Sequence, residues 1–142
     1  MIRAPMTDPA QALAFIFAGN ARVTLVSKRT KKRYTYRVRV CHDKPSVWFA
    51  GLLTDSDNDS GYTYIGHCNG TGQFVPKRGC AMQPALQALN WAVVHLRYKN
   101  KIPADLEIWH EGRCGKCART LTVPESIASG FGPECAKQRK AA

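Results

Sequence analysis

Cys114 and Cys117 stand two residues apart near the end of the chain, with Gly115 between them. A Cys-x-x-Cys pair either turns both thiolates toward one metal ion or cycles between dithiol and disulfide. A redox pair of the thioredoxin type sits between a strand and a long helix in a βαβ setting, and no such pattern surrounds these residues. Metal ligation is the better reading. Zn²⁺ takes four ligands, with sulfur at ~2.3 Å, so two more donors are needed. Cys135 follows the turn Gly130-Phe131-Gly132-Pro133 and is placed at the start of a last helix. His110 lies four residues before Cys114. The set His110, Cys114, Cys117 and Cys135 reads H-x3-C-x2-C-x17-C. Cys80, Cys68 or His67 are alternatives for the fourth position. Arg113, Lys116 and Arg119 lie close enough in sequence to favour the thiolate form. Such a site is closed and structural: it replaces a core that a short segment cannot build alone. Six cysteines without a secretion signal fit metal or free thiols better than disulfides.

The second feature is charge. The chain has 142 residues, with 21 Lys+Arg against 10 Asp+Glu, a net charge of +11. Such an excess points to an anionic partner. It is unevenly spread: +8 over residues 1–54, −3 over residues 55–70 and +6 over residues 71–142. The densest run is Lys28, Arg29, Lys31, Lys32 and Arg33. Residues 21–28 and 33–40 alternate with period two on either side of it, which predicts a β-hairpin with a basic tip. In the second strand Tyr34, Tyr36, Val38 and Val40 share the core side. Arg33, Thr35, Arg37 and Arg39 share the other. In the first, Val23 and Leu25 face the core, Arg22, Thr24 and Lys28 face out, and Val26 breaks the pattern. Arg22, Lys28, Arg33, Arg37 and Arg39 are thus expected to form one basic surface across which a phosphate backbone can lie, with Arg29, Lys31 and Lys32 at its tip.

These residues need elements to hold them. Thr7 or Asp8, followed by Pro9, is a helix start, a cap and then proline, and Gly19-Asn20 is the stop, so a helix is expected to about Ala18. Residues 46–53, 62–67 and 106–109 read as strands, and Phe74-Val75 as a weak continuation. Residues 84–98 form the clearest helix, with Leu86, Leu89, Val93 and Leu96 on one side and Trp91 and His95 flanking it; Pro103 blocks its continuation. No apolar run approaches the ~18 residues of a membrane span, and no signal peptide is read, so the expected location is the cytoplasm. Asp55, Asp57 and Asp59 lack the Gly and Glu that a calcium loop needs, since Ser60 and Gly66 stand there. A metal-dependent nuclease would use clustered carboxylates, but no His or Lys partner accompanies these at a recognisable spacing. Neither a phosphate-binding loop nor a dinucleotide fingerprint occurs, so no small-molecule cofactor and no catalysis are expected.

The stretch from Glu107 to Ala136 resembles the C-terminal signature of a family of small phage and prophage proteins, H-x-G-x-C-G-x-C-x-R-x-L-T-x-P-x-S-I-x-x-G-x-G-P-x-C. The match runs through His110, Gly112, Cys114, Gly115, Cys117, Arg119, Leu121, Thr122, Pro124, Ser126, Ile127, Gly130, Gly132, Pro133 and Cys135. Ala118 stands where a second glycine is common. The resemblance implies a zinc-binding module on a small α+β body, and a mobile-element origin in a bacterial host. The expected architecture is therefore α+β: a mostly antiparallel sheet of four or five strands with two helices over residues 1–109, and a treble-clef or knuckle-like zinc module over residues 110–142. The expected role is non-catalytic binding of nucleic acid, DNA or RNA. The competing role is inhibition of a host-defence nucleoprotein complex, of the anti-CRISPR type.

Overall fold

The computed structural model describes residues 5–55, 60–69, 73–110, 114–116 and 130–131. Among them are two helices and one six-stranded sheet in which every neighbouring pair is antiparallel. The chain runs α1 (Pro9–Ile16), β1 (Asn20–Ser27), β2 (Arg33–Val40), β3 (Trp48–Leu53), β4 (Tyr62–Cys68), β5 (Phe74–Pro76), α2 (Pro84–Tyr98) and β6 (Leu106–His110). The order across the sheet is β5-β4-β3-β2-β1-β6.

The expected α+β class holds, with six strands where the sequence pattern predicts four or five. The last strand, β6, returns alongside β1 and makes it an interior strand. α1 starts as its sequence dictates: the Asp8 carboxylate accepts from the Ala10 amide at 3.1 Å, and Pro9 fills the first turn. It ends at Ile16, two residues short of expectation. The groups beyond it are needed elsewhere: the Asn20 amide donates to the Gly115 carbonyl, and the Gly19 carbonyl accepts from Val40. α2 matches its sequence signals, and Asn100 in the left-handed region (φ 48) follows its last turn.

The two helices cover one side of the sheet. Ala12, Phe15 and Ile16 of α1 and Leu86, Leu89, Val93 and Leu96 of α2 are buried with Val23, Leu25, Tyr36, Val38 and Ile108. Strand alternation sends the intervening residues to the other side. One irregularity changes that bookkeeping. Ala50 pairs with Gly66 but Gly51 pairs with Tyr64, so Ile65 is an extra residue in β4. The bulge inverts the alternation along β4. Tyr64 is exposed on the outer side, while Cys68, of the same parity in sequence, is buried in the core. Gly66 is required beside the bulge: a Cβ there would stand 2.3 Å from the Val75 carbonyl oxygen. No helix among the described residues is long and apolar enough to cross a membrane.

Candidate nucleic-acid interface and metal centre

The hairpin tip is a loop of five residues, Lys28 to Lys32, between β1 and β2. It is held in a fixed form. The Ser27 amide donates to the Lys32 carbonyl at 2.9 Å, and the Lys31 amide donates to the Ser27 carbonyl at 2.8 Å. The Thr30 amide donates to Ser27 Oγ at 3.2 Å. Lys28 is anchored through its amide to the Asp105 carbonyl at 2.7 Å. Lys31 takes a left-handed conformation (φ 63) to close the turn. With the backbone tied down, Lys28, Arg29, Lys31, Lys32 and Arg33 are all exposed.

From Arg33 the positive charge continues along the outer side of β2 to Arg37 and Arg39. Arg37 and Arg39 lie about 7 Å apart along the strand. Burial, with the charges of Arg39 and Arg22 beside it, pushes the Arg37 guanidinium below its ordinary value, while Tyr62 acts in the opposite sense. Arg22 departs from expectation. It pairs in register with Arg37 but is only 7 % exposed, and Thr24 beside it is buried too. β1 lies inside the sheet between β2 and β6, and the Arg22 guanidinium stands 6.0 Å from the centre of the Tyr62 ring. Lys28 is likewise a loop residue rather than a strand residue.

Beside the arginines stands a set of rings that the alternation argument did not identify. Arg37 pairs with Gly51, which pairs with Tyr64; Arg39 pairs with Phe49, which pairs with His67. The Arg37 guanidinium lies 4.9 Å from the centre of the Tyr62 ring. Phe49 and Tyr64 meet edge to face at 5.9 Å, and the Tyr64 hydroxyl is 3.2 Å from His67 Nδ1. Phe49 is 40 % exposed and Tyr64 39 %. Burial raises the Tyr64 phenol above its ordinary value, so it stays neutral at physiological pH. A shallow groove of about 210 Å³ runs between Arg37, Arg39, Phe49, Tyr62 and Tyr64. Gly51 forms part of its wall, and a Cβ there would stand 3.2 Å from Tyr62 Cβ. The signal in the sequence was Tyr62-Thr63-Tyr64; the bulge at Ile65 hid which way it pointed.

The alternation of β2 places Tyr34 and Tyr36 on the core side. Tyr36 is fully buried and donates its hydroxyl to the Ala85 carbonyl. Burial, and secondarily the neighbouring Tyr34, raises its phenol far above the ordinary value. Tyr34 is half-buried. On the helix side of the tip, a cleft of about 300 Å³ lies between Arg29, Lys32, Tyr34 and Trp91. Trp91 is 44 % exposed, with the His95 ring 4.9 Å away.

Of the four residues read as zinc ligands, His110 and Cys114 are described, and both are buried. Cys117 and Cys135 lie outside the described residues, as do Asp57 and Asp59. Phe15 gathers the described part of this region. Its ring is 5.7 Å from that of His110 and 6.2 Å from that of Phe131. Gly115 and Gly130 approach it so closely that a Cβ on either would stand 2.6 Å from its Cδ2. The Gly115 amide donates to the Gly130 carbonyl at 2.8 Å. Among the described residues no group of three or more His, Cys, Asp or Glu is placed to hold a metal. The alternative ligands lie elsewhere. His67 and Cys68 are on β4, four strand positions from β6, or about 19 Å at ~4.8 Å per strand. Cys80 is exposed in the connection between β5 and α2, beyond the far edge. None of the three is positioned to share a metal with His110.

A family of unknown function, DUF6011, matches residues 104–140, the last strand and the cysteine-bearing segment. No curated protein and no solved structure matched the chain.

Proposed function

We propose that this protein binds nucleic acid without catalysing a reaction, through the basic track of the β1–β2 hairpin, and that residues 110–142 form a zinc-stabilised module. One observation carries the first part. Lys28, Arg29, Lys31, Lys32 and Arg33 are exposed at a tied-down tip, and the same strand continues the charge through Arg37 and Arg39. A phosphate backbone is the common ligand that meets a row of cations of this length, each contact releasing a counterion. Arg22 is not part of the track.

The test is binding of a labelled oligonucleotide over a salt series. If five of the seven cations touch phosphate, the log–log slope is about −4.5 on duplex. The double variant Arg37→Ala/Arg39→Ala lowers that slope by about 1.8 and weakens binding. Absence of binding at low salt sinks the reading.

The zinc proposal rests on donor chemistry. His110 packs against Phe15, and Cys114 is buried beside Gly115, which also approaches Phe15; a thiolate or imidazole held in such a setting suits a closed structural Zn²⁺ site. Cys117 and Cys135 would supply the other two donors, and the metal would hold the segment together rather than take part in a reaction. Elemental analysis should give about one zinc per chain, lost in Cys117→Ser. A folded, metal-free protein removes the proposal.

A second reading, docking on a host-defence nucleoprotein complex as an inhibitor, is favoured by Trp91. An exposed tryptophan beside a cleft is the residue type that dominates protein interfaces. A partner captured from bacterial lysate that survives nuclease treatment and is lost in Trp91→Ala would support it.

A further inference from the structure

The outer side of the sheet carries rings as well as charge, and phosphate binding alone does not account for the rings. A duplex offers a flat protein face only its backbone, because its bases are stacked inside; arginines alone would suffice for that. Here Phe49 and Tyr64 are each about two-fifths exposed next to two arginines. Exposed rings set beside a cationic groove are the arrangement on which successive bases stack in single-strand binders. The groove between them is lined by ring and guanidinium together. At about 210 Å³ it falls below the ~300–1,000 Å³ of pockets for drug-sized ligands, which suits one base rather than a whole cofactor. The gap exists because Gly51 stands between Arg37 and Tyr64 in the cross-strand row, and because the Ile65 bulge keeps Tyr64 outward. The charge around it selects an anion.

We infer that this groove seats an unpaired base of a single-stranded nucleic acid, stacked against Phe49 and Tyr64, with Arg37 and Arg39 on the adjoining phosphates. The inference rests on the nucleic-acid reading above and adds the strand state of the ligand. The basic tip supplies affinity for any phosphate backbone, and the groove discriminates single strands from duplex. Stacking is tolerant of sequence, since every base has a ring face.

The test uses the full chain and four labelled probes: an eight-nucleotide single strand and a blunt duplex, each as DNA and as RNA. The variants are Phe49→Leu and Tyr64→Leu, which keep apolar bulk and remove the ring at exposed positions. Each is expected to weaken single-strand binding roughly five- to 150-fold and to leave duplex binding within about twofold. Circular dichroism and thermal unfolding should show both variants folded as the parent. If either variant unfolds, Gly51→Ala, which narrows the groove with one methyl, carries the same expected pattern. A preference between the DNA and RNA single strands identifies the natural strand and supports the inference either way. Single-strand binding unchanged in both ring variants overturns it while leaving the nucleic-acid reading intact, as does equal loss on duplex. Absence of binding to all four probes at low salt overturns the nucleic-acid reading itself.

Discussion

The two sides of the sheet are made by the same strands and differ in almost every property. The helix-covered side is aliphatic, with Val23, Leu25, Val38 and Ile108 sealed under Leu86, Leu89 and Val93. The outer side carries Arg37, Arg39, Phe49, Tyr62 and Tyr64. Tyrosine occurs on both, and comparing Tyr36 with Tyr64 shows what decides a residue's work. Tyr36 is enclosed, and its hydroxyl is committed to a helix carbonyl. Tyr64 meets Phe49 edge-on and His67, and two-fifths of its surface is exposed. Residue type is shared; enclosure differs. Substitutions should therefore split, changing stability from one side and binding from the other.

The largest expected effect comes from the helix layer. Phe15 is fully buried and packs against His110, Phe131, Gly115 and Gly130. Phe15→Ala should cost about 3–5 kcal/mol of stability. Measured by urea unfolding, it should leave the affinity of the folded fraction for nucleic acid unchanged. A loss of affinity without a loss of stability would break the division between the sides.

Tyr36→Phe is the next step down. Removing the hydroxyl forfeits a buried hydrogen bond, worth roughly 0.5–1.5 kcal/mol net. The pH dependence sharpens the assignment. Burial holds the folded phenol far above the ordinary value, so the proton stays on in the folded protein when the unfolded chain begins to lose it near pH ~10. That stability is therefore complete below about pH 10 and falls as pH rises beyond it, by up to ~1.4 kcal/mol per pH unit. Tyr36→Phe lacks this share, so the gap between parent and variant should narrow from pH 8 to pH 11. A constant gap would mean that Tyr36 is not enclosed.

Much of this division was legible in the sequence. β2 alternates without a break, and both its bounds and its two faces followed from Arg33 to Val40. The cap Asp8-Pro9 and the apolar spacing of residues 84–98 located both helices. Two things were not legible. The pairing of β6 with β1 is a long-range contact with no local signal, and the burial of Arg22 and Thr24 is likewise unmarked by the alternation of β1. The bulge at Ile65 inverts the alternation of β4, so counting by twos puts Tyr64 and Cys68 on one side when they lie on opposite sides. The rings were visible as residues, but their direction depended on one extra residue in a ladder that no local pattern marks. Of the cysteine set, spacing named four donors, and the fold places two of them, His110 and Cys114, in the interior.

The smallest expected effect has the opposite sign, which makes it a sharp probe of the comparison. Lys31 adopts φ 63 to close the hairpin. A left-handed conformation costs an L-residue roughly 1–2 kcal/mol, and glycine adopts it freely. Glycine's greater freedom in the unfolded chain takes back roughly 0.4–1 kcal/mol. Lys31→Gly should therefore raise stability by up to about 1 kcal/mol. It also removes one cation of the track, so the salt slope should shrink by about 0.9 on duplex, or 0.7 on a single strand. Lys32→Gly is the control. It removes the same charge next door at a residue without positive φ, so it should lower affinity equally while losing stability. If the tip serves binding at a cost to folding, the two variants match in affinity and part in stability. If they part in affinity instead, the charges of the tip do not act as a common track, and recognition must be sought on the rings of β3 and β4 alone.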